Sequence, residues 1–178
     1  MGKIRIIGGI HRSRQLDVLD EDGLRPTLDR VKETLFNWLG QDLTGLKCLD
    51  LFTGSGSLAF EAISRNATEV VMIEKNSLAY KQLEKNKKIL NASNCTILNQ
   101  DALNFLSANQ TQKFDVIFID PPFSSNLLSE SLKLIKNVIN HKTLIYVEYR
   151  DKVDLSQFQI VKQKKAGVVN FALLQQEE

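Results

Sequence analysis

Five short apolar runs divide this chain, and segments with helical spacing separate them. The runs cover residues 47–52, 69–74, 95–99, 114–119 and 143–149. The helical segments cover 57–66, 77–90, 102–108 and 126–140. The runs are continuous rather than alternating, as expected of strands covered by helices on both faces. Alternation of this kind demands a doubly wound, mostly parallel α/β sheet. Two later runs, 158–164 and 168–174, are separated only by Lys165-Ala166-Gly167. So short a link permits an antiparallel hairpin and excludes a helical crossover. The expected core is therefore a Rossmann-like sheet of seven strands, five parallel and two in a terminal hairpin.

A prelude comes before the core. The first twenty residues read as a short β-hairpin or extended arm, interrupted at Gly8-Gly9. A helix is expected from Arg25-Pro26-Thr27, with Thr27 as N-cap. Leu28, Val31, Leu35, Trp38 and Leu39 recur at helical spacing, and Gly40 closes the helix. With no repeat or linker, residues 1–178 read as one domain: an extension over 1–40 and a core over 41–178.

Hydrophobic residues make up 43% of the chain and charged residues 25%, which suits a compact globular protein. Cys48 and Cys95 read as small buried hydrophobes in a reducing compartment. They form no metal-ligand spacing with His11 or His141, so no metal is expected. Met1-Gly2-Lys3 leads straight into Ile4-Arg5-Ile6-Ile7 without a secretory signal, and no run reaches membrane-spanning length. A soluble, cytoplasmic monomer is expected. The net charge of +2 excludes little, but its distribution is uneven. Lys3, Arg5, Arg12 and Arg14 precede any acid, and Asp17, Asp20, Glu21 and Asp22 follow. The basic stretch reads either as a phosphate footprint or as a solvated face.

Two motifs carry chemistry. The first strand ends in Asp50-Leu51-Phe52-Thr53-Gly54-Ser55-Gly56-Ser57-Leu58-Ala59. Glycines at a strand-to-helix turn let backbone approach a ligand and leave helix N–H groups unpaired. Glu74 ends the second strand twenty residues beyond Gly54, where a carboxylate can accept ribose hydroxyls. This is the pattern of a site for an adenosine-containing cofactor. Lys75 and Ala102 flank the same strand ends. Asp101 reads as an acceptor for an adenine amino group, as a helix N-cap, or as both. A dinucleotide would set its pyrophosphate near Asp50, and like charges repel. A sulfonium and an α-ammonium suit Asp50 better, which favours S-adenosyl-L-methionine.

The second motif is Asp120-Pro121-Pro122-Phe123, directly after the fourth apolar run. A carboxylate and a backbone carbonyl can each accept one N–H from the same NH₂ group. The prolines fix those acceptors in advance. Phe123 can stack on the flat group that bears the amine. Asp50, Glu74, Asp101 and Asp120 all fall at the carboxyl ends of strands, where open α/β sheets bind ligands.

Asp-Leu-Phe-x-Gly-Ser-Gly together with Asp-Pro-Pro-Phe resembles the class I S-adenosylmethionine-dependent methyltransferases that modify exocyclic amines. The chain is most similar to the bacterial 16S ribosomal RNA guanine-N2 methyltransferases, the small-subunit methyltransferase D family. Further stretches carry that likeness: Arg5-Ile6-Ile7-Gly8-Gly9 with Arg12 and Arg14, Leu24-Arg25-Pro26-Thr27, the run from Asp29-Arg30 to Trp38-Leu39, and Ala166-Gly167. His11 and Ser13 depart from it, standing where the family often has an aromatic and a small residue or Gly. Thr53 and Ala59 stand where Ala and Gly are common.

The resemblance, carried by those residues, implies methyl transfer to N2 of a guanine, guanine 966, in 16S rRNA of a partly assembled small subunit. It implies S-adenosyl-L-methionine as cofactor, held by Asp50, Phe52, Thr53, Gly54, Ser55, Gly56, Glu74, Lys75, Asp101, Ala102 and Asp120. It implies catalysis by Asp120, Pro121, Pro122 and Phe123. RNA contacts are expected from Arg5, Arg12, Arg14, Arg25 and Arg30, with Lys32 beside them. Three other readings compete: an amine methyltransferase acting on DNA adenine or protein glutamine, an NAD-dependent oxidoreductase, and a non-catalytic RNA-binding assembly factor.

Overall fold

The computed structural model describes residues 1–20, 28–109 and 111–177. Arg25 and the expected N-cap Thr27 lie outside the described residues. Strands β1 (Gly2–Arg5) and β2 (Gln15–Val18) pair antiparallel into a separate two-stranded arm, which the Gly8-Gly9 break allows. Helix α1 (Asp29–Trp38) follows. The core then alternates β3 (Lys47–Asp50), α2 (Ser57–Ser64), β4 (Glu69–Ile73), α3 (Ser77–Ile89), β5 (Cys95–Leu98), α4 (Ala102–Ala108), β6 (Val116–Ile119), α5 (Leu127–Leu134) and β7 (Leu144–Tyr149). The hairpin of β8 (Phe158–Ala166) and β9 (Val169–Gln176) completes it.

The sheet runs β5-β4-β3-β6-β7-β9-β8, with β9 antiparallel to β7 and β8. The expected seven-stranded Rossmann-like sheet is thus borne out. The chain winds outwards from β3 through β4 to β5, then starts again on the other side at β6. The order therefore reverses between β3 and β6, which opens a crevice beyond their carboxyl ends.

The strands are apolar throughout because both faces are covered. On one face Cys48, Val70, Met72, Val116, Phe118 and Tyr146 pack under the arm, α1, α2 and α3. On the other, Leu49, Val71, Ile117, Ile119, Ile145 and Val147 pack under α4 and α5. Cys48 and Cys95 are both buried and free.

Two elements differ from expectation. The helix expected over 126–140 ends at Leu134, and residues Ile135–Asn137 tighten into a 3₁₀ turn. Lys113 Nζ donates to the Asn137 carbonyl at 3.0 Å, and Asn137 donates to the Leu106 carbonyl at 3.1 Å. These bonds satisfy the helix end, and the turn buries Ile135, Val138 and Ile139 against the sheet. The second is Lys32. Its place on α1 reads as an outer face, yet it is 1% exposed and donates to the Arg5 carbonyl at 2.6 Å. Its Nζ also lies 3.7 Å from Glu61, so it is not an RNA contact.

Glu61 is the centre of that buried cluster, at 0% exposure. It accepts the backbone N–H groups of Ile7 at 3.0 Å and Gly8 at 2.9 Å, and Arg65 Nε at 2.9 Å. Beside it, Gly9 at φ +77° packs so closely on α2 that a Cβ would strike the Ser64 carbonyl. These contacts hold the arm tip against the C-terminal end of α2.

At the far edge of the sheet, β8 exposes Gln159 through Lys165. A bulge falls between Ile160 and Lys162. Among the described residues no helix is long and apolar enough to cross a membrane.

Candidate active site

Beyond the β3 and β6 ends lies a cavity of about 830 Å³. It gathers Asp50, Phe52, Thr53, Gly54, Ser55, Glu74, Lys75, Asp101, Ala102, Asp120, Pro121, Pro122 and Phe123. The two sequence motifs thus meet in one space.

The glycine loop is held from below. Gly54 N–H donates to Glu74 Oε2 and Asn76 N–H to Glu74 Oε1, each at 2.7 Å. A carboxylate offers about four acceptor sites, so Glu74 retains capacity for ligand hydroxyls. Gly54 sits at φ +54° and Gly56 at φ +82°. Gly56, expected to touch the cofactor, is not among the lining residues. It packs against α2 and α3, and a Cβ there would come within 2.5 Å of the Phe60 ring and 2.8 Å of Leu83. Its work is to let the loop turn into α2.

Asp50 is 2% exposed. Burial, reinforced by the nearby Glu74 charge, pushes its carboxyl up to about 7, although backbone N–H groups of Phe52 and Ala59 oppose the rise. A carboxyl left so close to neutrality has room for a cation. Ser57 gives a second sign of a ligand site. Its hydroxyl is buried, lines the cavity at the start of α2, and has no hydrogen-bond partner among the described residues. Asp101 does act as the N-cap of α4, accepting Asn104 N–H at 3.0 Å. Its other oxygen lies 3.7 Å from the exposed Lys75 ammonium.

On the opposite wall, the Asp-Pro-Pro-Phe turn closes on the Pro122 carbonyl, which accepts the Ser125 hydroxyl at 2.6 Å. The Pro121 carbonyl is not the one consumed by that turn. The Arg150 guanidinium lies over the Phe123 ring, 4.5 Å from its centroid, and fixes the ring.

Glu148 and Arg150 line the same wall and were not among the expected site residues. Their signal was present in the sequence. Tyr146, Glu148 and Arg150 recur at period two, and a Glu is foreign to an apolar strand. Glu148 is buried and accepts the Tyr146 hydroxyl at 2.6 Å. Burial drives the Tyr146 phenol well above its usual range, and the charges of Glu148 and Asp120 add to this. Leu28 and Val31 of the α1 region and Ala166 and Val169 of the terminal hairpin also line the cavity.

Among the described residues, the expected RNA-binding Arg5, Arg12, Arg14 and Arg30 do not line this cavity. Arg12 and Arg14 are exposed at the arm tip, which bonds to Ser64 at the C-terminal end of α2. Ser57, at the other end of that helix, lines the cavity; an eight-residue helix spans about 12 Å. Arg14 donates to the Ile89 carbonyl at 3.0 Å. Arg5 pairs with Asp29 at 2.7 Å, and Arg30 is exposed on α1. Arg25 lies outside the described residues.

A doubly wound sheet closed by an antiparallel hairpin, with a glycine loop and an acid-Pro-Pro turn facing each other across the switch point, defines a Rossmann-like class I methyltransferase. The fold matches that of an RNA methyltransferase from Salinibacter ruber solved with S-adenosyl-L-homocysteine, at TM-score 0.69 and 15% identity over 86% of this chain and 95% of that one. The family described as Conserved hypothetical protein 95 matches residues 4–175. Ribosomal RNA small subunit methyltransferase D of Haemophilus influenzae is 44% identical over 98% of this chain and 94% of its own length. The solved Escherichia coli protein yhhF superposes with TM-score 0.90 at 41% identity, covering 99% of both chains. The chain therefore belongs to the ribosomal RNA small subunit methyltransferase D family, as its motifs implied.

Proposed function

We propose that this protein transfers a methyl group from S-adenosyl-L-methionine to the exocyclic N2 of a guanine in 16S rRNA of the small ribosomal subunit. The observation that carries this reading is the shared cavity of the glycine loop and the Asp120-Pro121-Pro122-Phe123 turn.

The residues fit the cofactor. Asp50 supplies a buried carboxylate for a cation, Glu74 an acceptor for ribose hydroxyls, and Asp101 an acceptor beside the adenine. The unpartnered Ser57 hydroxyl and the start of α2 offer polar groups that a bound ligand can satisfy. When bound, S-adenosyl-L-methionine supplies a methyl group carried on a cationic sulfur.

The chain's own residues prepare the acceptor. The guanine N2 lone pair is delocalised into the ring and is a poor nucleophile. Asp120 and the Pro121 carbonyl each accept one N–H of the amine, which turns its lone pair out of conjugation and stabilises the positive charge that develops. Phe123, fixed under Arg150, stacks on the extruded base. Positioning does most of the work, since no covalent intermediate with the protein is needed. Arg12 and Arg14 at the arm tip, together with Arg5, Arg25 and Arg30, hold phosphates of flanking RNA.

The test is transfer of labelled methyl to small subunits that lack the modification, followed by digestion and mass identification of the nucleoside. N2-methylguanosine is the expected product. Label in N6-methyladenosine, or none in RNA, would defeat this reading.

A further inference from the structure

Resting on that reading, we propose that Glu148 is a specificity-determining residue, which reads the ring N–H adjacent to the reactive amine. Strands β6 and β7 are parallel neighbours in the sheet, with Phe118 beside Tyr146 and Ile119 beside Val147. The next residues in register are Asp120 and Glu148. Adjacent strands stand about 5 Å apart, and side chains alternate between faces. Asp120 and Glu148 therefore follow Phe118 and Tyr146 on one face, side by side, where both line the cavity. Arg150 comes two residues after Glu148 on the same wall.

The wall thus presents two carboxylates side by side. The pairing edge of guanine presents an amine, a ring N–H and a carbonyl in order. Once Asp120 holds the amine, Glu148 faces the ring N–H. Adenine and cytosine place an acceptor nitrogen beside the amine, which a carboxylate repels. The Tyr146 hydroxyl, 2.6 Å from Glu148 Oε1, sets the orientation of that carboxylate. Glu148 is only 7% exposed, so water competes little for the contact.

Small subunits reconstituted from 16S rRNA with either guanine or 2-aminopurine at the target position test this. 2-Aminopurine keeps the exocyclic amine but has an acceptor nitrogen in place of the ring N–H. The unmodified protein should prefer guanine by about 10- to 100-fold in kcat/KM, the scale of one hydrogen bond to a charged group. Glu148→Gln should lose a similar factor on guanine and narrow the preference, because an amide N–H can face the acceptor nitrogen. Its cofactor affinity should not change. An unaltered preference in this variant, including equal losses on both substrates, overturns the inference and leaves only a structural role. Equal rates on both bases by the unmodified protein overturn it without any variant, so misfolding of the variant does not protect it. Absence of transfer to guanine subunits by the unmodified protein is a separate result, which removes the proposed function itself and this inference with it.

Discussion

Glu61 on α2 and Asp50 at the end of β3 are both buried carboxyls, but their surroundings are opposite. Glu61 is enclosed by Lys32, Arg65 and two backbone N–H groups of the arm. Asp50 has backbone donors, a second acid close by, and open cavity on one side. The first arrangement completes its own charge balance and fastens one part of the chain to another. The second is incomplete until a cation arrives. Burial of a charge therefore does not mark a functional site; burial without a protein counter-ion does.

That contrast can be broken most forcefully at Glu61. Glu61→Ala strands Lys32 and Arg65 without their partner and should cost roughly 3–5 kcal/mol. Thermal unfolding should show a Tm lower by on the order of 10 °C. The cofactor affinity of the folded fraction should stay intact; a specific loss of affinity without destabilisation would show that Glu61 serves the pocket after all. Next comes Asp120. Asp120→Ala should lower turnover by about 10²–10³-fold, the scale for removing one preorganised polar group. Its Tm and cofactor affinity should change little, and full activity would exclude the proposed role.

A smaller effect sharpens the comparison at Asp50. Its folded value, about 7, lies above the ordinary 3.8. The native state thus holds a proton that the unfolded chain has released. Between those values the ligand-free protein should lose up to about 1.4 kcal/mol of stability per unit rise in pH. A cation beside Asp50 favours the ionised form, so binding below pH 7 must expel that proton. Calorimetric affinity for S-adenosyl-L-methionine should climb about fivefold from pH 6 to pH 7 and about twofold more before it flattens, approaching tenfold per unit only well below pH 7. Asp50→Asn should be weaker and independent of pH. The smallest effect belongs to the arm. Neutralising Arg12 and Arg14 together should flatten the salt dependence of subunit binding, by about one in slope for each phosphate left without its cation. An unchanged slope would leave the arm with only the structural duty seen at Glu61.

Much of this was legible in the sequence because it is local or periodic. Apolar runs marked the strands, and three residues between the last two forced the hairpin. The motif residues sit at strand ends, so their convergence followed from topology alone. What stayed hidden depends on distant partners. Lys32 lies where α1 reads as an outer face, and only the arm folding over it makes that face interior. Gly56 belongs to a cofactor-loop pattern, but the nearness of Phe60 and Leu83 gives it a packing duty. Ser13 is instructive in the other direction. It adopts φ +69°, a left-handed conformation that suits glycine, which gives a backbone reason for the small residue or Gly that the resemblance implied there. Glu148 was visible as an acid in an apolar strand, but its meaning needed the register that sets it beside Asp120.

The rim strand β8 has a further consequence. A terminal strand offers unclaimed main-chain donors and acceptors to any extended polypeptide that drifts past. Here Lys162, Lys164 and Lys165 stud that border, and the irregularity after Ile160 bends it. Two such borders brought together would set like charge against like charge. The protein can therefore end its large sheet in the open without recruiting copies of itself into a growing ribbon.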